Sequence, residues 1–222
     1  MRKITDSVMI VLAVLVVLFL VDGRTTAFAD GLPDLSAQWW ELMFSIPPDV
    51  NPVADTTGAH CMVGQSGPTW FLAGAFSSGS VTRSCSVPAG RSLYFPIVNV
   101  VNVNTPNICG QGNFNLTAKQ LRAQIAQLIG GATNLSAEVD GTAVANIVRV
   151  RSNVFAVALP ADNVSGCAPA GVYSPGVDEG FYVRLPPLSL GSHTIHFHGE
   201  VPGLGSVEDI TYNLTVVATQ LK

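Results

Sequence analysis

Charge is what this 222-residue sequence has least of. Asp, Glu, Lys and Arg make up 12% of it, about half the ~25% usual in soluble domains. Disorder needs high charge with little hydrophobicity, and a 48% hydrophobic content with a mean hydropathy of +0.39 excludes it. The composition equally excludes collagen and coiled coil. There is no basic excess. Eleven Lys and Arg stand against 15 Asp and Glu, a net charge of -4, so nucleic acid is not an expected partner. No apolar run reaches the ~20 residues that span a bilayer. There is no Cys-x-x-Cys pair, which argues against a zinc knuckle and against thioredoxin-like redox chemistry. No G-x-S-x-G elbow surrounds Ser66, so Asp55, His60 and Ser66 remain residue types without the motif of a serine hydrolase. No short motif fixes a reaction.

What is present begins with an address. Arg2 and Lys3 precede an unbroken apolar run of 14 residues, Val8 to Val21, and Ala27-Phe28-Ala29 follows. A positive start, an apolar stretch of this length and an A-x-A site predict a secretory signal peptide over 1–29, cleaved before Asp30. An uncleaved membrane anchor is the competing reading, and the run is short for it. The mature chain, 30–222, is expected as one secreted or periplasmic domain that does not span a membrane. It can be subdivided into 30–131 and 132–222. Cys61, Cys85, Cys109 and Cys167 all lie in it. An even number in an exported chain reads as two disulfides, with three connectivities open. Pairing Cys61 with Cys85 and Cys109 with Cys167 is preferred because it closes the shorter loops.

The elements follow from periodicity. Ser36 is read as the cap of a short helix carrying Trp39, Trp40, Met43 and Phe44, stopped by Pro47-Pro48. Its tryptophans suit a buried apolar face better than a sugar-stacking platform. Trp70 to Phe76, Val81 to Val87 and Ser92 to Val103 read as strands. Pro96 demotes the third to an edge or marks a bulge. Thr117 and Gln120 form a capping box for a helix to Ile129, ended by Gly130-Gly131. Beyond it come Leu135 to Val139, an Asp140-Gly141 turn, Val148 to Arg151, Val154 to Leu159, a loop over 160–180, Phe181 to Leu185, Gly191 to Phe197 and Ile210 to Val216. Short strands at this spacing predict a mainly β fold: an antiparallel β-sandwich, Ig-like or jelly-roll, with one or two short helices.

Val139-Asp140-Gly141-Thr142, followed by Leu188-Ser-Leu-Gly191-Ser-His193-Thr-Ile195, resembles exported bacterial proteins with an Ig-like β-sandwich in their C-terminal part. The resemblance covers about residues 133–218. It implies a fold and no activity.

The candidate chemistry is sparse. His196 and His198 share a strand face and, with Glu200 beside them and His60 arriving from elsewhere, form an N/O set that suits Zn or Cu. Solvated strand histidines are the plainer reading. Asp49, Asn51 and Asp55 suit Ca on a loop, or simply make turns. The polar, Gly-rich loop from Asp55 to Gly67 offers Asp55 and Gln65 as binding residues. Asp178 and Glu179 are residue types of a glycosidase, but neighbours on a strand face opposite ways, and they read as a solvated loop pair. Two functions follow. One is an exported, disulfide-stabilised, non-catalytic sandwich that binds a glycan, a cell surface or a partner protein without a cofactor. The other is a small metal-assisted exported enzyme, hydrolase-like, using His60, His196 and His198.

Overall fold

The computed structural model describes residues 31–76 and 79–218, and the expected signal peptide lies outside them. The chain is mainly β. Its elements are α1 (Leu32–Ser45), β1 (Thr69–Phe71), β2 (Gly79–Pro88), β3 (Ser92–Val103), α2 (Ala118–Gly130), β4 (Thr133–Val139), β5 (Thr142–Ala143), β6 (Val148–Arg151), β7 (Phe155–Leu159), β8 (Gly171–Leu185), β9 (Gly191–Val201) and β10 (Ser206–Val217). One sheet runs β1-β3-β8-β6, with β7 also paired to β8. The other runs β2-β10-β9-β4-β5.

The two sheets face each other. Leu93, Phe95 and Val183 of the first pack with Ile195, Phe197, Ile210 and Leu214 of the second, which is consistent with a β-sandwich. It is not purely antiparallel as expected. β1 joins β3, and β2 joins β10, in parallel. A parallel neighbour requires a crossover instead of a hairpin, and here both partners come from distant parts of the chain. α1 covers the outer face of the first sheet, where Trp39, Trp40 and Met43 pack with Phe71, Tyr94 and Tyr182. α2 lies against the same sheet as the sandwich core does, through Leu121, Ile125 and Ile129 against Val177 and Val98.

Local chemistry explains most of the elements. Thr117 and Gln120 make the reciprocal capping box at the start of α2, satisfying donors that a helix start leaves over. β2 alternates exposed and buried residues along its length. Its outer edge is shielded by the 55–61 segment. Thr57 O accepts Ser84 N–H at 2.9 Å, and Cys61 is bridged to Cys85. Gly58 there has φ +92°, and a Cβ would lie 2.3 Å from Ser84 O, so only glycine fits. The second bridge joins Cys109 to Cys167, as the loop-length preference has it.

Three expectations are corrected, and of the two readings of Pro96 the bulge holds. α1 starts at Leu32, with Pro33 in its first turn; Ser36 is no cap but a buried mid-helix residue whose hydroxyl donates to Pro33 O. Pro96 does not make β3 an edge. β3 is flanked by β1 and β8, and its register shifts between Pro96 and Val98, a bulge. Phe76 lies outside β1 and is exposed. Finally, 160–180 is not one loop, because β8 begins at Gly171. Asp178 and Glu179 are therefore no solvated pair. They lie inside the strand, 0% and 1% exposed.

Candidate functional site

The site is built on β8. Side chains alternate along a strand, so Asp178, Gly180 and Tyr182 share the face under α1. Tyr182 reaches back over Gly180, and its hydroxyl donates to Asp178 Oδ2 at 2.8 Å. Trp40 Nε1 donates to Asp178 Oδ1, also at 2.8 Å. Gly180 is the condition for this. It pairs with Asn99 of β3, and a Cβ on it would lie 2.5 Å from Asn99 Cβ and 2.7 Å from Val98 O. Asn99 Nδ2 donates to the Tyr182 hydroxyl at 2.9 Å.

The bulge in β3 is what brings Asn99 here. Before it, Tyr94 packs on the α1 side and Leu93 and Phe95 face the sandwich core. After it, Val101 and Val103 pack on the α1 side, and Asn99 shares their parity. One extra residue reverses which face each side chain takes. Without it Asn99 would turn away from Tyr182.

Burial pushes the Asp178 carboxyl up to about 7. The hydrogen bonds from Tyr182 and Trp40 pull against that push, and Glu179 adds to it. Burial likewise raises the Tyr182 hydroxyl well above its ordinary value, with the charge of Asp178 adding to the effect.

Above this floor is a cleft of about 160 Å³ between α1, β3 and β10, lined by Trp39, Trp40, Phe76, Asn99, Ser206 and Glu208. Burial pushes the Glu208 carboxyl up to about 7, against the pull of the Ala75 N–H and of Arg83. Its Oε2 accepts Ala75 N–H at 2.9 Å. Arg83, 1% exposed, donates to Ala73 O, Gly74 O, Asp55 O and the Tyr212 hydroxyl. Arg83 and Glu208 thus fasten the 73–75 strip that forms one wall. Phe76 stands 53% exposed at the rim, and the two tryptophans are 2% and 5% exposed, part of the core and not a platform.

The residues singled out in the sequence lie elsewhere. His196 and His198 sit on the outer face of the second sheet. His196 Nε2 is 2.7 Å from Asp209 Oδ1, and His198 Nε2 is 3.4 Å from Glu200 Oε1. Among the described residues, no three His, Cys, Asp or Glu side chains are arranged to hold a metal ion, so His60 does not join His196 and His198 in such a group. Asp55 accepts the N–H groups of Thr57 and His60 and the Thr57 hydroxyl. Burial raises its carboxyl, but these donors outweigh burial and hold it at about 2. Gln65 clamps Phe71, donating to its carbonyl at 2.7 Å and accepting its N–H at 3.0 Å. Asn51 is fully buried, and its amide donates to Met43 O and Ile46 O at the end of α1. Its oxygen accepts Val53 N–H at 3.1 Å, so Asn51 closes the helix and makes the turn after it.

Sequence reasoning missed Asp178, Tyr182, Asn99 and Glu208 as a group. The period-two spacing of Asp178, Gly180 and Tyr182 is a readable signal once β8 is extended back to Gly171. Glu208, between Val207 and Asp209, carries none. Comparison with known protein families, with curated proteins and with solved structures finds no match.

Proposed function

We propose that the protein is an exported, non-catalytic binding module on an Ig-like β-sandwich, held by its two disulfides, and that it takes one ring of a glycan in the cleft between α1, β3 and β10. The observation that carries this reading is the chemistry of the cleft wall. Asn99 turns its amide nitrogen inward to Tyr182, which leaves its oxygen as the acceptor it offers. Glu208 adds carboxyl oxygens, and Phe76 adds an exposed aromatic ring at the rim. A sugar ring presents hydroxyl donors around an apolar C–H face, the complement of such a wall. A cavity of this size accepts a six-membered ring. Export is supported by the bridged cysteines, and no described helix is long and apolar enough to cross a membrane.

The test is a glycan array probed with the mature protein, beside Asn99→Ala and Phe76→Ala. The parent is expected to retain a defined set of glycans, and both variants to lose the signal while melting close to the parent. Retention of no glycan by the parent, or equal retention by the variants, overturns the reading.

A further inference from the structure

We propose that Asp178, Tyr182 and Asn99 form a proton-linked relay that switches the floor of the cleft from hydrogen-bond acceptor to donor when Asp178 takes up a proton. The inference rests on the cleft being the ligand site, and it names the chemistry that this site selects.

The relay follows from proton counting. An ionised carboxylate only accepts. Asp178 accepts from Trp40 Nε1 and from the Tyr182 hydroxyl. The single Tyr182 proton is thereby committed to Asp178, so toward Asn99 the hydroxyl oxygen can only accept. It accepts Asn99 Nδ2. The Asn99 oxygen then remains for the cleft. When one proton binds Asp178 at Oδ2, that oxygen donates to Tyr182. The Tyr182 proton is released toward Asn99 and needs an acceptor there. The Asn99 amide turns over to supply its oxygen, and its NH₂ group faces the cleft instead. One proton enters, no bond breaks, and each polar atom keeps a partner.

The surroundings leave this proton no easier destination. From β3, Tyr94 faces the group, its ring stacked on Tyr182 at 5.0 Å. From α1 come the indole of Trp40 and the hydroxyl of Ser36, with Asp34 and Glu41 turned to solvent. Arg184 of β8 acts on Tyr94. Glu179 points to the opposite face, into Arg149 and Arg151. In the cleft itself Glu208 is the titratable group. Protonated, it too offers an O–H. Both cleft groups therefore change sense together: acceptors above neutrality, which suit the vicinal hydroxyl donors of a neutral sugar, and donors below it, which suit the carbonyl or carboxylate of an N-acylated or acidic sugar.

The experiment needs no ligand. The side-chain N–H resonances of Trp40 and Asn99 are followed by NMR in the mature protein from pH 5 to pH 9. Both are expected to move in one step with a shared midpoint. In Asp178→Asn both become flat. In Tyr182→Phe, which keeps the ring stack on Tyr94, the Trp40 step persists and the Asn99 step disappears. In Glu208→Gln both steps persist. An Asn99 step that survives in Tyr182→Phe, an Asn99 step lost in Glu208→Gln, or a parent in which either resonance stays flat overturns the relay. Glycan binding plays no part in this titration, so failure of the relay and failure of the glycan reading are told apart.

Discussion

Asp178 and Glu179 are sequence neighbours, equally buried, and opposite in design. Glu179 faces two guanidinium groups, Arg149 at 2.7 Å and Arg151 at 3.0 Å. Asp178 faces only neutral groups, the indole of Trp40, the phenol of Tyr182 and the hydroxyl of Ser36. A buried charge is tolerated where a countercharge and hydrogen bonds replace water. Where neutral donors alone replace it, the proton becomes the cheaper partner and the group titrates near neutrality. One strand thus carries a structural carboxylate on one face and a responsive one on the other. The pleat alone separates them.

The largest loss is expected on the Glu179 side. Replacing both arginines, Arg149→Ala with Arg151→Ala, strands a carboxylate that is 1% exposed, and a cost of about 3–5 kcal/mol is expected. Chemical denaturation at pH 7 measures it. A loss within experimental error would mean that Glu179 finds water after all.

The Asp178 side is sharpened by pH. Unfolded, its carboxyl titrates near its ordinary value of about 4; folded, at about 7. Between these the folded chain holds a proton that the unfolded chain has lost. Stability is therefore full below pH 4, falls as pH rises to 7, and is level above, by up to about 4 kcal/mol. Glu208, also raised to about 7, acts in the same direction. Melting is expected at a lower temperature at pH 8 than at pH 5, and Asp178→Asn is expected to flatten that slope. A parent whose melting temperature rises from pH 5 to pH 8 would contradict the assignment.

A smaller effect is expected from Trp40→Phe. It keeps an aromatic ring against Phe44 but removes one donor to Asp178, at about 1–3 kcal/mol at pH 8. The loss should shrink at pH 5, where the carboxyl is protonated. A pH-independent loss would point to packing instead. Tyr182→Phe removes the other donor to Asp178 and the acceptor of Asn99 Nδ2, two hydrogen bonds, and a similar loss of about 1–3 kcal/mol is expected in the same measurement, with Asn99 freed to turn either way.

The sequence was informative where chemistry is local. The capping box of Thr117 and Gln120, the Asp140-Gly141 turn with both residues at positive φ, and the alternation of β2 all rest on residues within a few positions of one another. The preferred cysteine pairing follows from chain length between bridgeheads in the same way. The Ig-like resemblance implied a fold without a site. What failed was any judgement that depended on a distant partner. Asp178 and Glu179 looked like loop residues because Gly, Pro and Ser crowd 160–176, yet β3 and β6 supply the pairing that extends β8 through them.

Composition and short-range period carried a β-rich chain with one or two short helices, paired cysteines and few charged residues. Only the tertiary structure decided the site. It needed α1 laid across β8 to bring Trp40 to Asp178 over 138 positions of chain. It needed the β3 bulge to turn Asn99 toward Tyr182, 83 positions away. It also needed β10 to set Glu208 against Ala75, 133 positions away. Burial makes these carboxyls titrate near neutrality, and burial is a property of the packed layers, not of any segment.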